Sequence, residues 1–387
     1  MPIVTSLCLA AALAAPVAQA DPMFDQAVLH ETRIVMDPGD WQALRDDFRS
    51  NQFYAANLSI DGEVVLQVGI RSRGDGSRSG EKPGLKIDFN KYVKTQEFHG
   101  YKTLVLDNLV QDVAMMRERL AFAVFEAVGI PAPQIAHTRL TVNDEYWGLY
   151  TLVEAVSKPF LEARIGEKSG NLFDYEYAFP WDFSFRGDDA SAYVPVPLQP
   201  QTNEDSLDPA GLIDFFRRIN GATEASFVAE VTALLDVPRF LAYLAVENAL
   251  AETDGIAGAE GANNFYLYQY GGQDRFVFIP WDKETCLASS SWPLFQRMDG
   301  NVLTRRLIAD PGLRTLYVDA VERAAAFVNA RFLLPKLEQT YAQVREAALT
   351  DARKPYTNDE FELGIHGLRG VIAAREEDVL AQVRAAR

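Results

Sequence analysis

The chain reads as an α+β protein with strands first and helices last. Three observations carry this reading. Short alternating runs joined by turn dipeptides fill residues 28 to about 150, one amphipathic stretch at 115–133 interrupts them, and the last third, from about residue 302, is helical in composition, rich in Ala, Leu and Arg. With 387 residues and domains of roughly 150 residues as the usual size, two parts are expected: a strand-rich N-terminal lobe over 21–156 and a mostly helical C-terminal lobe over 157–387.

Residues 3–20 carry no charge and end in Ala18-Gln19-Ala20 before Asp21. Small residues after an apolar run are the mark of a signal peptide, so 1–20 are expected to be removed near Ala20 and the mature protein to be periplasmic or extracellular. No second apolar run approaches the roughly 18 uncharged residues of a spanning helix. Residues 57–74 hold two alternating runs around Asp61-Gly62, a hairpin signal; 84–89 and 102–109 are further strands. The stretch 115–133 has apolar Met116, Leu120, Val124 and Ala127 on one face and stops at Gly129 and Pro131, which predicts a helix of about four turns. Residues 138–156 form a second hairpin turning at Asn143-Asp144. Residues 180–210, rich in Pro, Gly, Asp and Ser, read as an irregular insertion. Asp236, followed by Pro238 in the first turn, opens a helix over 239–255, and 263–270 with 274–282 form a strand pair joined by Gly271-Gly272.

The chain has 54 acidic against 37 basic side chains, a net charge of −17, which argues against a nucleic-acid partner. Its 48% apolar and 24% charged residues are ordinary for a globular protein. Cys8 and Cys286 are the two cysteines, and His30, His99, His137 and His366 show no metal-ligand spacing, so neither a disulfide framework nor structural zinc is expected. His137 reads as a packing or hydrogen-bonding histidine, Cys286 as a small buried residue, Trp147 and Trp281 as packing aromatics, and Arg375-Glu376-Glu377-Asp378 as a solvated helix face.

Two constellations could carry chemistry. Residues 71–94 hold Arg71, Arg73, Arg78, Lys82, Lys86, Lys91 and Lys94 against Asp75, Glu81 and Asp88, with four glycines among them. A locally cationic, glycine-rich segment suits a polyanion; a solvated basic loop is the alternative. The second constellation groups Glu247-Asn248, Asp254, Asn263-Asn264 and Asp282. Two carboxylates and a carboxamide at one hairpin edge supply oxygen ligands for Mg²⁺ and a base for a hydroxyl. Asp254 in a Thr-Asp-Gly turn and Asp282 after Trp281 also have local structural readings.

These stretches together resemble the CotH kinase family, the spore-coat-protein-H-like atypical protein kinases. The resemblance runs in order through Arg71-Ser72-Arg73-Gly74-Asp75-Gly76-Ser77, Lys82-Pro83-Gly84-Leu85-Lys86-Ile87, Met115-Met116-Arg117-Glu118-Arg119-Leu120-Ala121 and Val128-Gly129-Ile130-Pro131-Ala132-Pro133. It continues through Val142-Asn143, Trp147-Gly148-Leu149-Tyr150, Val153-Glu154, Asn264-Phe265-Tyr266-Leu267-Tyr268 and Ile279-Pro280-Trp281-Asp282. It implies a protein-kinase-like two-lobe fold with ATP and Mg or Mn between the lobes. Lys86 then resembles the strand lysine on the α/β-phosphates, with Glu118 as its ion-pair partner and Asp112 or Glu126 as alternatives. Arg71 and Arg73 join it as nucleotide-binding residues, and Glu154-Ala155-Val156 resembles the hinge. Asp254 is similar to the catalytic-loop aspartate, Asn263 or Asn264 to one metal ligand and Asp282 to the other.

Three departures accompany the resemblance. Asp254 and Asn263 are nine residues apart where kinase catalytic loops have about five. Glu284 stands where the family commonly has a second Asp, and could serve as a metal ligand. Cys286-Leu287-Ala288 replaces an aromatic-Gly ending. The expected function is an exported kinase moving the γ-phosphoryl of ATP to Ser/Thr of a secreted or envelope protein, with no nucleic acid and no transmembrane segment. The alternatives are a kinase-fold pseudoenzyme acting as a scaffold or adhesin, and a nucleotidyl (AMP) transferase.

Overall fold

The computed structural model describes residues 21–259 and 261–387; the expected leader at 1–20 lies outside them. Seven strands, β1 (His30–Met36), β2 (Tyr54–Ile60), β3 (Glu63–Arg73), β4 (Gly84–Asp88), β5 (Thr103–Asp107), β6 (Ile135–Val142) and β7 (Glu145–Glu154), close a barrel in the order β1-β2-β3-β4-β5-β7-β6. β1 alternates buried and exposed positions along its whole length, as a strand with one face on a core must. Both expected hairpin turns form: Asp61 and Gly62 lie at φ 51 and 87, Asn143 and Asp144 at φ 49 and 64. These left-handed conformations are tolerated best by Gly, Asn and Asp. Ile34, Leu58, Val68, Ile70, Leu85, Ile87, Leu104, Leu140 and Leu152 fill the barrel, each burial contributing about 1.5–3 kcal/mol.

Two features differ from the expected set of antiparallel strands plus one helix. β1 and β6 pair in parallel, a closure between residues about a hundred positions apart that local pattern does not encode. A second helix, α1 (Pro38–Asp46), follows Asp37, whose carboxylate accepts the Gly39 and Asp40 N–H groups. It buries Trp41 and Leu44, too few apolar positions to leave a clear period. The expected helix is α2 (Arg117–Val128), ending at Gly129 with φ 89. The Asp112 carboxylate caps it, taking N–H groups from Ala114, Met116 and Arg117.

After a short turn of helix, α3 (Lys158–Phe160), the chain builds a second sheet from β8 (Asn171–Tyr175), β9 (Leu198–Pro200), β10 (Phe265–Gln269) and β11 (Phe276–Pro280), in the order β11-β10-β8-β9. Around it pack α4 (Ala210–Gly221), α5 (Glu224–Leu234), α6 (Val237–Ala249), α7 (Val302–Ala309), α8 (Pro311–Ala325), α9 (Ala330–Thr350) and α10 (Asn358–Ala386). Asp236 caps α6 as expected, accepting the Arg239 N–H. The irregular stretch 180–210 is anchored: Trp181, Phe183 and Tyr193 sit in the core of this half, with Trp181 4.6 Å from Phe216 and Tyr193 stacked on the same ring.

The expected solvated face at 375–378 needs correction. Arg375 is fully buried and donates to the carbonyls of Asn248, Ala249 and Ser290 and to Asp378. Helices end with unpaired carbonyls, and the guanidinium serves those at the end of α6. The barrel is fastened to this half at a seam. There the Lys82 ammonium, 1% exposed, lies 2.7 Å from the Asp351 carboxylate, 0% exposed, and donates to the Leu149 carbonyl. Asp351 also accepts the Leu149 N–H. Gly148, at φ 121, passes so close that a Cβ would lie 2.5 Å from that carboxylate.

Candidate functional site

β3, β4, β5 and β7 set Arg71, Lys86, Val105 and Val153 side by side in register. Their neighbours Ile70, Ile87, Leu104 and Leu152 fill the barrel, so the alternation of a strand turns the first set outward. Arg73, two residues along β3, lies 3.6 Å from Asp107 and packs over the Trp281 ring at 5.4 Å. A narrow crevice between barrel and sheet is lined by Arg73, Val105, Asp107, Glu118, Val153, Trp281 and Asp282. Lys86 is half-buried, and its pKa is lowered first by burial and then by Arg71, against the opposing pull of Asp88 and Asp174.

Among the described residues no ion pair joins Lys86 to Glu118, the partner expected for it. Glu118 instead faces Asp282 and Asp107 and accepts the Lys283 backbone N–H. Burial first, and then those two carboxylates, hold its carboxyl well above the usual range. The alternatives are also committed elsewhere, Asp112 to the cap of α2 and Glu126 to Arg164 at 3.1 Å. The cation that opposes the rise of both Glu118 and Asp282 is Arg73. Glu154 ends β7 with its N–H on the Gln134 carbonyl and its carboxylate on the Gln134 N–H and Arg164, while Val156 is a buried core residue.

The structure brings Asp254, Asn263 and Asn264 together despite the long spacing. Gly258 and Asn263 both donate backbone N–H groups to the Gly255 carbonyl, so Asn263 is returned to the Asp254 turn. The Asn263 amide then lies 3.1 and 3.2 Å from the two Asp254 oxygens, and the Asn264 amide 3.0 Å from one of them. Asp282 stands beside this group. Its backbone is left-handed, φ 50. Its carboxyl is pushed up to about 7 by burial, with Asp107 and Asp254 adding to the shift and Arg73 opposing it. Glu284 extends the cluster: burial and then Asp282, Asp107 and Glu118 raise it well above the usual range, and its buried Oε2 has no hydrogen-bond partner.

Asp282 thus sits between an Asp254–Asn263–Asn264 group and a Glu118–Glu284–Asp107 group. The donors are all oxygens, which suits a hard cation such as Mg²⁺ or Mn²⁺ and not zinc. Among the described residues no three His, Cys, Asp or Glu side chains are already arranged to hold a metal ion.

Sequence reasoning missed four contributors. Asp107 ends β5, Asp174 lies on β8 facing Arg73 and Lys86, Tyr266 hydrogen-bonds Asp174, and Lys283 lies beneath the loops. Burial raises Asp174 to about 6, with Arg73 and the Tyr266 hydroxyl acting against it. A carboxylate directly after the apolar run 104–106 was the signal available for Asp107. Lys283, between Asp282 and Glu284, carries the pattern of a solvated charge run, which hid it.

Comparison with known proteins bears on this arrangement. The model of the CotH kinase protein family matches residues 70–379, which include every site residue named above. The chain belongs to this family. It is 24% identical over 359 residues to the inner spore coat protein H of Bacillus subtilis (strain 168), covering 88% of this chain and 92% of that protein. It is also 24% identical over 277 residues to an inner spore coat protein H-like protein of the same organism, covering 70% of this chain and 76% of that one. As a CotH family member, the chain combines a kinase-like family assignment with a mixed α/β architecture containing a seven-stranded barrel. Among the described residues no helix is long and apolar enough to cross a membrane.

Proposed function

We propose that this protein is an exported kinase of two-lobe, protein-kinase-like plan that transfers the γ-phosphoryl of ATP to Ser or Thr of a secreted or envelope protein, with Mg or Mn. The observation that carries the reading is the grouping of Asp254, Asn263 and Asn264 beside Asp282, which lines a crevice together with Arg73, while Arg71 and Lys86 pair in register next to Arg73 on β3 and β4. Phosphoryl transfer needs mainly positioning and neutralisation of charge. Arg73 and Lys86 would hold phosphate oxygens, and Asp254 would orient the acceptor hydroxyl and take its proton. Asp282, with Asn263 or Asn264 and Glu284, would hold the cation, which when bound neutralises the charge on the phosphates. Export rests on the leader-like residues 1–20, and the coat names of the relatives agree with an acceptor outside the cytosol.

Incubating the mature protein with labelled ATP, Mg²⁺ or Mn²⁺ and a casein-like acceptor should give incorporation that Asp282→Ala reduces at least 100-fold, about 2.7 kcal/mol. Equal incorporation by the variant would end the reading. Intact-mass analysis distinguishes phosphoryl transfer from adenylyl transfer. One observation favours a scaffold without catalysis: the crevice has a cavity volume of about 0 Å³, far below the roughly 300 Å³ at which ligand pockets begin, so a nucleotide requires the lobes to part. A melting temperature unmoved by ATP and metal would support that second reading.

A further inference from the structure

Beneath the candidate site lies an ion pair that neither the family resemblance nor the proposed chemistry uses. Lys283 is 0% exposed and Glu247 4%, and the ammonium lies 2.8 Å from Glu247 Oε1. The same ammonium donates to the Asn264 carbonyl at 2.8 Å. Glu247 Oε2 accepts the Ile256 N–H at 2.9 Å, and a Cβ on Gly255 would come within 2.5 Å of that carboxyl. The Asp254-Gly255-Ile256 turn therefore rests directly on Glu247, with glycine required at the point of contact. A second carboxylate, Glu252, accepts the Asp254 N–H at 2.8 Å and the Thr285 hydroxyl.

We propose that Lys283 is a positioning residue: paired with Glu247, it fixes from below both the Asp254 turn and the left-handed backbone of Asn264, and so sets the distance between Asp254 and its two asparagines. Its contacts go to the loops that bear the site. Asn264 adopts φ 55, a conformation that is costly for a side-chain-bearing residue unless its surroundings hold it. The ammonium on its carbonyl is such a hold, and from there the Asn264 amide reaches Asp254. Asp282 and Lys283, adjacent in sequence, divide the work, the first lining the crevice and the second supporting its floor. The catalytic part of this inference rests on the proposed phosphoryl transfer; the positioning part does not.

The test compares wild type with Lys283→Met and with Lys283→Met/Glu247→Gln. The single variant leaves a buried carboxylate without its cation and is expected to be destabilised; the double removes both charges and should melt within a few degrees of wild type. In the double variant, amide hydrogen exchange across 254–264 should quicken at least tenfold while the barrel strands keep their rates. Its kcat should fall at least tenfold with the KM for ATP within twofold, since the cations on the barrel are untouched. A stable double variant with unchanged exchange over 254–264 overturns the positioning role. Faster exchange with unchanged kcat overturns the catalytic part. If wild type transfers no phosphoryl group, the proposed function fails, and the exchange rates still decide whether Lys283 holds the loops.

Discussion

Lys82 and Lys86 lie four residues apart in one cationic strip, yet the molecule uses them in opposite ways. Lys82 is buried at the seam between the barrel and the α9–α10 corner, with the Asp351 carboxylate and the Leu149 carbonyl satisfying its donors. Lys86 is half-buried, beside Arg71 and Arg73, with burial and those cations acting against its charge and Asp88 and Asp174 opposing them. A buried charge without a partner is costly, so the seam pairs its ammonium one to one. The barrel strands β3 and β4 instead set Arg71, Arg73 and Lys86 close together, with Arg73 in an ion pair to Asp107 and Lys86 without a salt bridge among the described residues, an arrangement that gains from an added anion. The contrast teaches that the positive segment is two devices, a fastening and a candidate ligand surface.

The largest expected effect attacks the fastening. Lys82→Met leaves Asp351 buried without its cation and should cost about 3–5 kcal/mol, read by urea unfolding; Lys82→Met/Asp351→Asn should recover most of it. A cost for the single variant near that of a surface substitution would erase the contrast. Gly148→Ala strikes the same seam from the backbone, placing a Cβ at φ 121 against the Asp351 carboxylate, and should cost about 2–3 kcal/mol from strain and overpacking together.

His137 offers a third case, a buried base beside a cation. Burial, and then Arg119, hold its pKa down at about 3, against the bond to the Met115 carbonyl. The unfolded chain takes up that proton near pH 6.5, so stability should fall as pH drops below about 6.5, by at most ~1.4 kcal/mol per pH unit, until about pH 3. His137→Gln should flatten that part of the profile. The smallest stability effect belongs to the crevice: Lys86→Met should change unfolding by less than about 0.5 kcal/mol, while lowering ATP affinity about tenfold in a thermal-shift titration. A large loss of stability there, with affinity intact, would make Lys86 a second fastening.

Much of the fold was legible locally. The Asp61-Gly62 and Asn143-Asp144 turns, the cap at Asp236 and the stop at Gly129 all act within a few residues, through backbone conformations and orphan N–H groups that side-chain chemistry decides on the spot. The site was legible as a set of residue types: Asp254, Asn263, Asn264 and Asp282 were expected together, and the structure puts them side by side. Roles that depend on a distant partner were not legible. Glu118 faces Asp282 and Asp107 rather than Lys86, and Arg375, in a charge run like any surface helix, is buried under the end of α6.

By itself, then, the sequence determined the barrel's hairpins, the turns and caps, the cationic strip and the family to which the chain belongs, because each of these is written in neighbouring residues or in an ordered series of short motifs. Tertiary structure alone decided the parallel closure of β1 on β6, the pairing of Lys82 with Asp351 across 269 positions, and the placing of Lys283 on Glu247 below the Asp254 turn. The reason is that a charge has no fixed meaning along the chain. Its cost and its effect are set by burial and by whichever opposite charge folding carries to within about 3 Å of it.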